Sequence, residues 1–164
     1  MADRQVALIL KSKGIGEKIM LMKMIVVGKP KDKVLGTKSA EFVSRCGAYG
    51  KVECVELPDS DVQREGKALM RELEKEKNSF VFVLSEEGKL FTTAAFAQKI
   101  ASVDRKMVFV IGGPFGLAPE VKQRADLLWS LSPLTFTHEM ARLLLCEQLY
   151  RALNLNAGGS YHHV

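Results

Sequence analysis

The chain has 164 residues, 47% of them hydrophobic and 26% charged, with a mean hydropathy of +0.01. That balance suits one folded domain and excludes disordered, collagen-like and coiled-coil chains. The net charge is +5, and the first 40 residues hold nine basic groups against three acidic ones, leaving a small acidic surplus over the rest.

Residues 1–18 show no clear periodicity. Residues 1–20 are read as an N-terminal extension or an extra edge element ahead of a single domain over 21–164. Residues 24–27 (MIVV) form a short apolar run closed by Gly28-Lys29-Pro30, the pattern of a strand ending in a turn. Residues 34–45 suit a helix, and 51–57 (KVECVEL) alternate as a half-buried strand does. Asp59 or Ser60 is placed to cap a helix over 62–76. Residues 80–84 (FVFVL) and 107–111 (MVFVI) are wholly apolar, as strands are when helices cover both faces of a parallel sheet. Thr92 or Thr93 caps the helix between them, with Phe96, Ile100 and Val103 turned inward. Pro119 suits the first turn of a short helix, and residues 127–131 (LLWSL) read as a last strand. Thr137 with Glu139 then opens the longest helix, over 139–153. Strands alternating with helices predict an α/β domain built on a mainly parallel sheet.

Ligands of such sheets bind beyond the carboxyl ends of the strands. The segments to inspect are therefore Ser85-Glu86-Glu87-Gly88, Gly112-Gly113-Pro114-Phe115-Gly116 and Ser132-Pro133-Leu134-Thr135-Phe136-Thr137-His138. Glycines after a buried strand let the main chain approach a ligand. The spacing is GGxxG rather than GxGxxG, and no acidic residue follows at the distance a dinucleotide ribose requires, so a dinucleotide site is disfavoured.

All three histidines (His138, His162, His163) lie in the last 27 residues, together with Arg142, Arg151 and Tyr161. His138 and Arg142 share one helix face, and Glu147 and Arg151 another. The ending Ser160-Tyr161-His162-His163 follows two glycines. A flexible tail of this kind is suited to close over a base, stacking through Tyr161 and moving protons through histidine. The cysteines Cys46, Cys54 and Cys146 lack CxxC spacing and read as buried reduced thiols rather than disulfide or zinc ligands. No apolar run reaches the ~18 residues of a membrane span, and residues 6–10 are too short for a signal peptide. A place inside the cell or an organelle is the expectation.

Taken together, VIGGPFG (110–116), WSLSPLTFTH (129–138), EQLYRA (147–152) and the Tyr161-His162 ending resemble the RlmH family. These are pseudouridine N3-methyltransferases of large-subunit ribosomal RNA, a branch of the SPOUT class. The resemblance runs from about Met24 to the end and implies an α/β domain with a deep C-terminal trefoil knot. It also implies a cytoplasmic homodimer, or an organellar one in a eukaryote, that acts on the ribosomal subunit without a metal. By motif, the S-adenosyl-L-methionine pocket comprises Leu84, Gly112, Gly113, Gly116, Leu131, Ser132, Pro133, Leu134, Thr135 and Phe136. The apolar residues Met140, Leu143, Leu144, Leu145, Cys146, Leu149 and Leu153 leave the last helix little polar surface, as a knot and dimer interface require. After Tyr161-His162 the family has Arg or Lys where this chain has His163.

The donor's methyl group is already activated, so what remains is alignment with N3 and removal of its proton. An ordinary histidine is about three pKa units too weak a base, an uphill transfer of roughly 4 kcal/mol, so the anionic base needs electrostatic help. His162 is expected to take the proton, Arg142, in preference to Arg151, to supply the stabilising charge, Tyr161 to stack, and Glu147 to position an arginine. Two rivals are a noncatalytic RNA-binding module using the basic N-terminal region and the tail, and a dinucleotide-dependent oxidoreductase using the glycine loop.

Overall fold

The computed structural model describes residues 19–163. The reading of an N-terminal element falls almost wholly outside them, and Met20 already belongs to the first strand. In chain order the elements are β1 (Met20–Val27), α1 (Lys33–Cys46), β2 (Gly50–Leu57), α2 (Val62–Glu74), β3 (Ser79–Leu90), α3 (Thr93–Ala101), β4 (Lys106–Ile111), α4 (Pro119–Gln123), β5 (Leu127–Ser130) and α5 (His138–Asn156). The five strands form one sheet in the order β2-β1-β4-β3-β5, every pairing parallel.

Strand alternation sorts the apolar side chains onto two faces. Met22, Met24, Val26, Phe82, Phe109 and Ile111 meet α1, α3 and α5 through Cys46, Phe96, Ile100, Leu145, Leu149 and Leu153. Ile25, Val27, Val81, Val83, Val108 and Val110 meet α2 and α4 through Leu69, Leu73 and Val121. Helices thus cover both sides, which is why FVFVL and MVFVI carry no polar residue. On the larger face, rings fill the volume: Phe82 stacks on Phe109 at 4.8 Å and Phe96 on Trp129 at 4.1 Å.

The boundaries differ from the sequence expectation where local hydrogen bonding decides. Asp61, rather than Asp59 or Ser60, caps α2, accepting from the Arg64 N–H at 2.9 Å. The Ser60 N–H goes to Glu65, and Asp59 pairs with Lys31 at 3.4 Å. Thr92 is the cap of α3. Strand β3 does not stop at Leu84. It continues through Ser85-Glu86-Glu87-Gly88 across a register shift against β5, because Gly88, lacking a Cβ, lies directly on the main chain of Leu128 and Trp129. Cys46 and Cys146 are buried, and that burial pushes both thiols up to about 12. Cys54, expected to be buried as well, is exposed on the edge strand.

Candidate active site

At the carboxyl ends of β3, β4 and β5 lies a cavity of about 780 Å³, of the size that holds a nucleoside-sized ligand. Leu84, where β3 shifts register against β5, lines it together with Ile111 and Trp129 near the ends of β4 and β5. The glycine loop after β4 makes one wall, and the segment between β5 and α5 makes the other. Gly112, Gly113, Gly116, Leu131, Ser132, Leu134, Thr135 and Phe136 all line it, as does Leu84. Pro133 lies in the same segment but outside the lining, so eight of the nine predicted loop positions face the cavity.

The need for glycine is local. A Cβ at Gly112 would stand 2.7 Å from Leu117 Cδ2, and Gly116 turns back at φ +86° to bridge to Gly113. At these glycines the loop presents main chain to the cavity. That suits a ligand held by main-chain contacts.

Lining residues that the loop-based reading did not assign to the pocket include Phe115, Lys122, His138 and Glu139. Phe115 is 73% exposed at the tip of the glycine turn. The His138 ring tip reaches the space left by Gly28, whose φ is +84°, and its Nε2 has neither solvent nor a hydrogen-bond partner. Thr137 caps α5 through the Met140 N–H at 3.3 Å. Glu139 does not join that cap: its carboxylate accepts from the main-chain N–H groups of Lys31 and Asp32, tying the loop after β1 to the start of α5.

The C-terminal residues form a second cluster on α5. Gly158, at φ +68°, and Gly159 reverse the chain, and Asn154 holds it, accepting from the Tyr161 N–H at 3.0 Å while donating to the Tyr49 hydroxyl at 2.8 Å. The Tyr161 ring packs edge-on against Tyr150 at 4.8 Å and lies under the Arg151 guanidinium at 4.6 Å. Arg151 is held by Glu147 through Nε at 2.9 Å and through Nη2, and its Nη1 is 3.4 Å from His162 Nδ1. Hydrogen bonding to Glu147 raises the Arg151 pKa, and burial followed by the Glu147 charge raises that of Tyr161. The expected flexible flap is thus a docked segment, anchored by Asn154, which no local motif marks for that role.

Arg142 is not part of this cluster. Nine residues separate it from Arg151, which on a helix is half a turn out of phase and roughly 13 Å along the axis. It faces the sheet edge instead, with Nη1 2.7 Å from Glu56 and Nη2 donating to Cys54 Sγ at 3.6 Å. The expectation that pairs Arg142 with His162 fails within one chain for this reason, and Glu147 positions Arg151. Arg142, Tyr161 and His162 are also absent from the lining of the cavity that their own chain forms, among the described residues.

A family model described as "Predicted SPOUT methyltransferase" matches residues 20–162. The chain belongs to the SPOUT methyltransferase family. Within that family its curated relatives bear the name "Ribosomal RNA large subunit methyltransferase H". The relative from Gloeobacter violaceus is 36% identical over 152 residues, and that from Streptococcus thermophilus 39% over 161. The relative from Symbiobacterium thermophilum is 38% identical over 160 residues. Each match covers 87% or 88% of this chain and 99% of the relative. Among solved structures, a probable methylase family protein from Haemophilus influenzae aligns over 90% of this chain and 72% of its own, with a TM-score of 0.55. At 14% identity that likeness shows a shared fold alone. The glycine loop and the β5–α5 segment fall inside the matched span, and so do Arg151, Tyr161 and His162.

Proposed function

We propose that the protein transfers a methyl group from S-adenosyl-L-methionine to N3 of a pseudouridine in large-subunit ribosomal RNA, acting on the ribosomal subunit in the cytoplasm. The observation that carries this is the convergence of two segments, Gly112–Gly116 and Leu131–Phe136, on one cavity at the strand ends. The cavity fits the donor: Gly112, Gly113 and Gly116 bring main chain to its wall, and Leu84, Ile111 and Trp129 offer apolar surface to a nucleoside. Leu84, Gly112, Gly113, Gly116 and residues 131–136 are the groups that would hold it. When bound, the donor supplies an activated methyl.

The chain's own task is to present the target base and remove its N3 proton. In this reading His162 accepts the proton and Tyr161 packs against the base. Arg151, fixed by Glu147 beside His162, supplies the positive charge that the anionic base requires, a place the sequence reading gave to Arg142. Because the tail does not line its own chain's cavity, the reading brings the tail of one protomer to the cavity of its partner in a homodimer. Met140, Leu143 and Leu144 on α5 belong to neither core cluster, which supports that assembly by leaving apolar side chains for a partner.

The test is to purify the protein, titrate it with S-adenosyl-L-methionine by calorimetry, and then incubate it with large ribosomal subunits lacking the modification. Mass spectrometry of the digested RNA should show a methylated pseudouridine. Donor binding without transfer to any ribosomal nucleoside would reject the substrate, and no donor binding would reject the reading as a whole.

A further inference from the structure

The first turn of α2 holds a carboxylate in an unusual place. Glu65 is only 2% exposed, deep enough that an ionised group needs specific partners. Its Oε1 accepts from the Ser60 N–H at 2.8 Å, whereas Oε2 has no hydrogen-bond partner and no solvent contact. The free oxygen is directed at the glycine loop of the candidate cavity: a Cβ on Gly113 would stand 2.6 Å from Oε2 and 2.8 Å from Oε1. The next residue repeats the fit. A Cβ on Gly66 would stand 2.7 Å from Ala118 Cβ, so α2 also packs without clearance against the far end of the same loop. The Glu65-Gly66 dipeptide thus seats the main chain that runs from Gly112 to Ala118, one residue against Gly113 in the wall of the cavity and the other against Ala118.

We propose that Glu65 is a positioning residue for the methyl donor: Oε2 is the acceptor against which the Gly112–Gly113 main chain settles when the loop closes on its ligand. The inference rests on the donor reading given above. A carboxylate suits the task because it offers only acceptors and its location in the first turn of a helix favours negative charge. One oxygen is already fixed by Ser60, so the other cannot swing away. Glycine at 113 is required because any side chain would come between the acceptor and the main chain it receives.

The experiment measures S-adenosyl-L-methionine affinity by calorimetry, and the melting temperature without ligand, for the wild type, Glu65→Gln, Glu65→Ala, Gly113→Ala and the Glu65→Ala/Gly113→Ala double variant. Glutamine keeps the shape and one acceptor for Ser60 but places an amide donor at the loop. The expected result is a donor Kd about ten-fold or more higher for Glu65→Gln with an unchanged or raised melting temperature, a split that a purely structural role would not produce. In the cycle, Gly113→Ala should add little to the loss already caused by Glu65→Ala, because both break one contact. Wild-type binding with equal affinity in Glu65→Gln, or independent losses in the cycle, would overturn this inference alone. A wild type that fails to bind the donor would overturn it together with the functional reading.

Discussion

Tyr161 donates its hydroxyl hydrogen to Glu147 Oε1 at 3.2 Å, and the same oxygen accepts from Arg151 Nε at 2.9 Å. One carboxylate oxygen therefore holds both the tail and the arginine beside His162. Glu147→Gln removes the charge while keeping the shape. The groups are partly solvated, so stability should change by no more than about 1 kcal/mol. The single-turnover methylation rate at saturating donor should fall by about ten-fold or more. A rate equal to the wild type would remove the tail from the chemistry.

Arg151 and Arg142 make opposite predictions. Arg151→Lys keeps the charge but loses the planar fork that meets Glu147, and should slow methylation by roughly ten-fold. Arg142→Gln leaves Glu56 without its ion-pair partner and should cost about 1–2 kcal/mol of stability in urea titrations, with the rate little changed. The reverse order of rate effects would return Arg142 to the site.

Gly112→Ala tests the cavity wall. Its Cβ would meet Leu117 Cδ2 at 2.7 Å, so either the leucine or the loop must shift. Calorimetry should show a donor Kd raised by about ten-fold, roughly the 1.4 kcal/mol expected of a displaced contact. Unchanged affinity would mean that the loop does not touch the ligand.

Phe115 carries a large exposed ring at the cavity mouth, where nothing in its own chain's core explains it. Stacking on a nucleobase contributes about 1–3 kcal/mol. Phe115→Ala should raise the KM for ribosomal subunits by roughly ten-fold and leave the melting temperature and donor Kd unchanged. A KM within two-fold of the wild type would rule out a stack.

Acid should destabilise the fold through a network far from the site. Lys23 is 4% exposed, with Glu76 at 3.0 Å, Glu72 at 3.4 Å and Glu53 at 3.9 Å. The hydrogen bond from Lys75, aided by Lys23, holds Glu72 below its usual value; for Glu76, burial works upward but Lys106 and Lys23 outweigh it. Burial works against the charge on Lys23, but the carboxylates prevail and its pKa is raised. With depressed carboxylate values, the unfolded chain binds protons more readily than the native one. The stabilisation is therefore present above the ordinary 4.5 and lost as pH falls through the lowered values. Unfolding free energy should drop between about pH 6 and about pH 3. Glu76→Gln should cost about 3 kcal/mol at neutral pH and flatten that acid limb. An unchanged limb would place the acid sensitivity elsewhere.

Much of this architecture is legible before any folding is considered. A wholly apolar strand such as FVFVL permits only a position between two helical layers, and Thr92 and Thr137 are side chains whose oxygens serve helix starts better than helix interiors. The glycine loop is visible for a related reason: adjacent glycines after a buried strand are costly unless the main chain must be approached closely. Gly88 carries the same signal, but the partner backbone it accommodates belongs to β5, forty residues on, so the continuation of β3 was not readable locally.

The sequence by itself determined most of the strands and helices, two of the three segments that line the cavity, and the family of the chain, because these depend on periodicity, caps and local motif. Tertiary structure alone decided which of two arginines stands beside His162, that the tail is tied down by Asn154, and that Glu65 lies under Gly113. Those relationships join residues distant in the chain or on opposite sides of one helix, and no local pattern records them. They follow from where the sheet places its edges and what the packed helices leave exposed.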